Sequence, residues 1–206
     1  MTSADARAVI LGLTLHASAL GAADAQQFSA PSFVFARFAT GSASVLYATR
    51  GFGKAGGFVG LVVNPKSQYR ELIAGGYTRM TWSEQSVLLA VAYADTKGGR
   101  YLQTYVNPSL SHGPLAFSAT IEWYEPLERL ALRQLSINPA SLEVRATHHL
   151  AVGLVSTLDM APGVSAQRRL GGVAEWSVKW GSLRLEVLHR QSGERTEARV
   201  AVLSVF

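Results

Sequence analysis

The chain has 206 residues, 48% hydrophobic and only 16% charged, with 19 basic and 14 acidic side chains for a formal net charge of +5. That length and apolar content suit a single domain and exclude a disordered chain, which needs low hydrophobicity and high charge. The absence of cysteine excludes a disulfide framework and a thiolate metal site, and no apolar run of about 18 residues is present to form a helical membrane span.

Arg7 opens the chain's first feature. It precedes the apolar stretch 8–20, after which the sequence reads Gly21-Ala22-Ala23-Asp24-Ala25. A short basic lead, an apolar centre and an A-x-A-like end mark a secretory signal. Residues 1–25 are therefore expected to be a cleavable signal peptide, cut before Gln26, with residues 26–206 as the folded domain. Asp5 and His16 depart from the pattern, and a helix packed on the domain is the alternative. Cleavage removes Arg7, Asp5 and Asp24, which raises the net charge from +5 to +6.

Beyond residue 30 the apolar residues recur with period two, and no segment sustains helical spacing. In 86–94, Val87, Leu89, Val91 and Tyr93 oppose a face of mostly small residues. In 115–124, Leu115, Phe117, Ala119, Ile121 and Trp123 oppose Ala116, Ser118, Thr120, Glu122 and Tyr124. Strands are expected near 33–39, 43–49, 57–63, 71–82, 86–95, 100–106, 114–124, 129–137, 142–157, 169–180, 182–191 and 197–206. The clearest of them, such as 86–94, 115–124 and 170–180, run about nine to eleven residues, the length at which a tilted strand crosses a bilayer. The connectors carry turn residues: 64–67, 96–99, Asn107-Pro108-Ser109, Asn138-Pro139-Ala140-Ser141 and 192–194, with one longer loop over 158–168 around Pro162-Gly163. Because the first three strands are short and irregular, the count is about ten to twelve, with eight allowed.

One hairpin supplies a register. A two-residue turn at Gly181-Ser182 sets Trp180 opposite Leu183, Val178 opposite Leu185 and Trp176 opposite Val187, and leaves Lys179 diagonal to Glu186 on the other face. The same alternation suits a soluble barrel with its apolar face buried and a membrane barrel with that face in lipid. Three details favour lipid. Trp82, Trp123, Trp176 and Trp180 all fall on strands, mostly near their ends, as an interfacial aromatic girdle requires. The polar face mixes Glu122, Glu143, Arg145, Glu175, Lys179, Arg184, Glu186, Arg190 and Arg199, a set suited to a lumen of paired charges. The last ten residues form an alternating strand that ends on Phe206, with Val200 and Val202 on the same face.

That ending resembles the C-terminal assembly signal of bacterial outer-membrane β-barrel proteins, with Ser204 standing where the family usually has an aromatic residue. The resemblance implies a single antiparallel up-and-down transmembrane β-barrel in the outer membrane of a Gram-negative bacterium. It also implies outer-membrane lipid as surroundings and the barrel-assembly machinery as a partner during biogenesis.

Few residues invite chemistry. His148-His149 are adjacent on an expected strand and so point to opposite faces, which prevents shared ligation of a metal. An outer-membrane lipid hydrolase would place a serine two residues after its histidine. Here that position is Ala151, and Ser156 has the wrong parity for His149. Glu122 is expected to partner lumen arginines, and Glu125 to lie in a turn. Arg168-Arg169 with Arg190 and Arg195 form a basic cluster that could meet lipopolysaccharide phosphates. Dispersed basic residues in an exported chain make nucleic acid a poor partner, and the glycines of 51–57 lack P-loop spacing. No cofactor, metal or catalytic residue is expected. The expected role is a non-enzymatic barrel, either structural, a narrow small-solute pore, or accessory to envelope or polymer export. A periplasmic or secreted ligand-binding β-barrel is the first alternative and the lipid hydrolase the second.

Overall fold

A computed structural model describes residues 27–129, 131–190 and 196–206. The expected signal segment 1–25, the turn residues 192–194 and Arg195 lie outside them. The described residues form thirteen strands: β1 (Gln27–Ser29), β2 (Phe33–Ala39), β3 (Ser44–Phe52), β4 (Ala55–Asn64), β5 (Tyr69–Trp82), β6 (Gln85–Thr96), β7 (Gly99–His112), β8 (Leu115–Pro126), β9 (Gln134–Arg145), β10 (Leu150–Ala161), β11 (Val164–Val178), β12 (Gly181–Arg190) and β13 (Glu197–Val205). From β2 onward each strand pairs antiparallel with the next, and β13 returns to β2 with Val202 opposite Ala36. Twelve strands thus close a ring. β1 lies outside it, paired with residues 79–81 of β5 beyond the point where β4 begins.

This corrects the expected strand count. About ten to twelve with eight allowed becomes twelve in the ring and a thirteenth strand beside it, because β3 and β4 are regular strands of nine and ten residues. Several turns move as well. Asn107-Pro108 lies within β7, where the ladder to β8 has no pairs between Val106 and Ser109. Proline cannot donate to a ladder, and this gap accommodates it. Asn138-Pro139 forms a bulge inside β9, with register shifts against both β8 and β10. The longer loop expected over 158–168 is instead a turn at Pro162-Gly163 between extended β10 and β11. Likewise, 142–157 is not one strand, because the chain turns at 146–149.

The β11–β12 turn falls at Lys179-Trp180, two residues earlier than expected. Trp176 therefore pairs with Leu183 and Ala174 with Leu185, while Gly181 already pairs with Ser204 of β13. A two-residue shift preserves every face, since side chains repeat with period two.

The faces themselves are unambiguous. Leu72, Val91, Leu115, Leu154 (61% exposed), Trp176 (56%), Val178, Leu183 and Val187 point outward, whereas Glu186 (2%) and Arg199 (0%) point inward. A soluble ligand-binding barrel needs the opposite arrangement, so that alternative is overturned. Connections 40–43, 65–68, 97–98 and 162–163 lie at one end of the barrel, where β8 and β12 also end and β9 and β13 begin. The shorter turns 53–54, 83–84, 113–114, 146–149 and 179–180 share the other with Phe206; these are called the loop end and the terminal end.

Candidate functional site

An eight-stranded barrel is just filled by its own side chains, and twelve strands enclose more space. Here long side chains of two kinds occupy it. On the β9–β13 side they are ionic. Glu175 and Arg184 are direct cross-strand partners, as are Glu186 and Arg199, and opposite charges at such positions attract. Arg184 Nη1 donates to Glu143 Oε1 at 2.6 Å and to Glu175 Oε2 at 2.8 Å, and its Nε donates to Glu186 Oε1 at 2.7 Å. It reaches Glu143 across Gly153, the inward residue paired with Glu143. A Cβ at Gly153 would meet the Leu142 carbonyl oxygen at 2.1 Å.

The ladder continues toward the loop end. Arg199 Nη1 lies 3.6 Å from Glu186, and its Nε donates to Glu197 at 2.5 Å. Arg169 lies 3.4 Å from both Glu197 and Asp159. Three arginines thus alternate with five carboxylates along the inner wall. The β9 bulge serves the same wall, since it turns Asn138 inward, where Oδ1 accepts from Arg199 Nη1 at 2.7 Å and from Arg37 Nη1 at 3.3 Å.

The β2–β8 side is aromatic. Tyr47 contacts Phe35, Phe58 and Tyr105, and Phe58 contacts Tyr77 and Tyr105, with centroids 5.9–6.5 Å apart and mostly edge-to-face. Between the aromatic and ionic sides lies a cavity of about 220 Å³, bordered by Phe33, Tyr47, Tyr105, Arg37, Glu122 and Asn138. Residues 30–32 run under its terminal-end mouth. The Tyr77 hydroxyl and Thr49 Oγ1 both donate to the Pro31 carbonyl, at 2.5 and 3.3 Å, and Ala30 N donates to Gly53 O. That path exists because Gly51 has no side chain, since a Cβ there would lie 1.6 Å from the Ala30 oxygen.

Of the charges expected in the lumen, Glu143, Glu175, Arg184, Glu186 and Arg199 meet in the ladder. Glu122 faces the cavity and accepts from the Tyr124 hydroxyl at 3.1 Å, with no arginine paired to it among the described residues. Lys179 is exposed in the β11–β12 turn and Arg145 at the terminal end of β9, while Arg190 donates to Gln167 near the loop end. The pairing drawn for Lys179 with Glu186 is replaced by Arg184, because Lys179 lies beyond the strand. Asp159, Glu197 and Arg37 also join the wall, as does Arg169, which was expected in an outer basic cluster; their inward parity follows once the strand ends are known.

The tryptophans occupy both rims. Trp123 lies toward the loop end with Arg133 5.5 Å over its ring, while Trp82, Trp176 and Trp180 lie toward the terminal end. Val200 and Val202 point outward on β13. Arg168 and Arg169 separate, the first exposed outside and the second inside. His148 and His149 are exposed in the 146–149 turn. Ser156 lies some 20 Å further along β10 at about 3.3 Å per residue, so a serine–histidine pair is not assembled there. Glu125, at the end of β8, pairs with Arg133.

No family model matches the chain, and no curated protein matches it. Among solved structures it is similar to the KdgM porin in complex with disordered oligogalacturonate. That match has a TM-score of 0.59 and 12% identity, over 86% of this chain and 99% of that one. It is also similar to the NanC porin, with a TM-score of 0.57 and 9% identity over 85% and 99%. The likeness is one of fold: the chain has the closed, porin-like β-barrel architecture of bacterial outer-membrane proteins.

Proposed function

We propose that the protein is a non-enzymatic outer-membrane barrel acting as a narrow pore for small hydrophilic solutes. One observation carries the reading, a closed wall that is apolar outside and ionic inside. Such a wall is stable when lipid meets the apolar face and water or paired charge meets the other. The fold likeness to porins supports the same location, and the leader expected from the sequence of residues 1–25 would supply the export route.

The cavity sets the scale of the solute. About 220 Å³ is room for roughly seven waters at about 30 Å³ each. It also falls below the roughly 300 Å³ at which drug-sized sites begin. Threading a polymer through this lumen would require the Tyr47–Tyr105 side to move, so an accessory role in polymer export would act through a partner. Short turns are periplasmic and longer loops extracellular in such barrels, which directs the loop end outward. There the exposed Lys66, Arg70, Arg100 and Arg168 suit lipopolysaccharide phosphates, and the terminal strand ending at Phe206 suits the assembly machinery.

Refolded protein in a planar bilayer tests the pore. Small, steady single-channel steps are expected, and replacing Tyr47 and Tyr105 together by alanine should enlarge them. A correctly folded barrel that stays silent at every voltage, with and without that replacement, removes the pore and leaves a structural role.

A further inference from the structure

The cavity brings together two charged side chains that the ladder leaves out. Arg37 of β2 is buried, and Glu122 stands on β8, the strand farthest from β2 around the ring. Both border the cavity. The Arg37 side chain crosses the lumen to β9, where Nη1 donates to Asn138 Oδ1 at 3.3 Å, but Arg199 holds that same oxygen more closely, at 2.7 Å. Arg37 Nε has no partner. Glu122 accepts from the Tyr124 hydroxyl at 3.1 Å. Neither charge forms an ion pair among the described residues, with the other or with the ladder. The rest of the border is mostly apolar. Tyr47, Phe58 and Tyr105 fix one another edge to face, and Val45 and Leu88 extend that wall.

Buried charges are normally paired, so an arginine and a carboxylate left apart on one cavity each lack an opposite charge. A ligand that is only an anion satisfies Arg37 and meets Glu122 as a like charge; a simple cation does the reverse. One molecule carrying both charges satisfies both and adds no net charge. The aromatic wall then asks for apolar surface beside those charges, the usual combination in small-molecule sites. Size narrows the class further. A cavity of about 150 Å³ admits benzene, so in proportion one of about 220 Å³ admits roughly nine non-hydrogen atoms, the number in leucine. We propose that the cavity binds a free zwitterionic α-amino acid with an aliphatic side chain. Arg37 takes its carboxylate, Glu122 its ammonium group, and Tyr47, Phe58 and Tyr105 its side chain. Passage of that amino acid through the barrel rests on the pore reading; its binding does not.

Calorimetric titration of the refolded barrel with L-leucine at neutral pH tests the site. Saturable binding of one molecule per barrel is expected. Arg37→Met and Glu122→Gln should each weaken it at least tenfold, while Glu84→Gln in the exposed 83–84 turn leaves it unchanged. Two analogues keep the test independent of how any variant folds. 4-Methylpentanoate lacks the ammonium group and 3-methylbutylamine lacks the carboxylate, so the native barrel should bind each at least tenfold more weakly than leucine. Glu122→Gln should bind 4-methylpentanoate more tightly than the native barrel does, because the like charge is gone. Either analogue binding as well as leucine overturns the use of both charges, and a folded barrel that binds no leucine at any concentration overturns the site. In planar bilayers, leucine should reduce the single-channel current of the native barrel. A barrel that conducts but binds no leucine overturns the site and leaves the pore. One that binds leucine but never conducts overturns the pore and upholds the site.

Discussion

Arg184 binds three carboxylates, Glu143 and Glu175 through Nη1 and Glu186 through Nε, at 2.6–2.8 Å. Removing one partner of a buried ionic cluster typically costs about 3–5 kcal/mol, because the remaining charges stay buried without compensation. Arg184→Met should therefore lower the unfolding free energy in lipid vesicles by about that amount. Neutralising Glu143, Glu175 and Glu186 as well should recover much of it, since replacing a whole cluster is often neutral. Arg100 pairs equally closely with Glu128, at 2.5 Å but on the exposed rim. Arg100→Met should change stability too little to resolve, because solvent screens such pairs. Equal losses from the two variants would contradict the importance given to burial.

The segment from β1 into β2 shows how an element can depend on a missing side chain. With Leu in place of Gly51, residues 30–32 cannot remain under the mouth, because the obstruction is backbone. The ring of twelve should persist, with position 51 still opposite Gly56. The freed segment should become cleavable by protease near residue 30, and channel conductance should rise. Unchanged cleavage and conductance together would remove the segment's role in narrowing the mouth.

Other elements explain where the sequence could be read and where it could not. Val87, Leu89, Val91 and Tyr93 declare an outward face by period alone. Asn107-Pro108 and Asn138-Pro139 imitate turns, because a residue that cannot donate to a ladder is tolerated in a gap or bulge as well as in a loop. Asp159, Glu197 and Arg37 stayed hidden as members of the inner wall because period two carries no information about partners across a barrel.

At the scale of the whole molecule, the same alternation that leaves two orientations open in one dimension is resolved by closure. Once β13 pairs with β2, each strand has one inside face. The inside collects Arg37, Arg169, Arg184 and Arg199, and the outside presents Phe38, Leu46, Leu72, Val91, Leu154 and Val187. Basic residues left on the surface, such as Lys66, Arg70, Arg100 and Arg168, lie at the loop rim. An overall positive charge thus coexists with an acidic excess in the ladder.

Leu154 supplies the most direct test, because it projects from the middle of β10, 61% exposed and flanked by Val152 on the same face. In a bilayer, Leu154→Arg should destabilise the folded barrel by about 2–4 kcal/mol, the penalty for arginine on a lipid-facing midplane site. The measurement is reversible urea unfolding in phosphatidylcholine vesicles, read by tryptophan fluorescence. A loss in that range is the predicted result. A change within about 0.5 kcal/mol, the usual consequence of a water-exposed substitution, would mean that this face meets water.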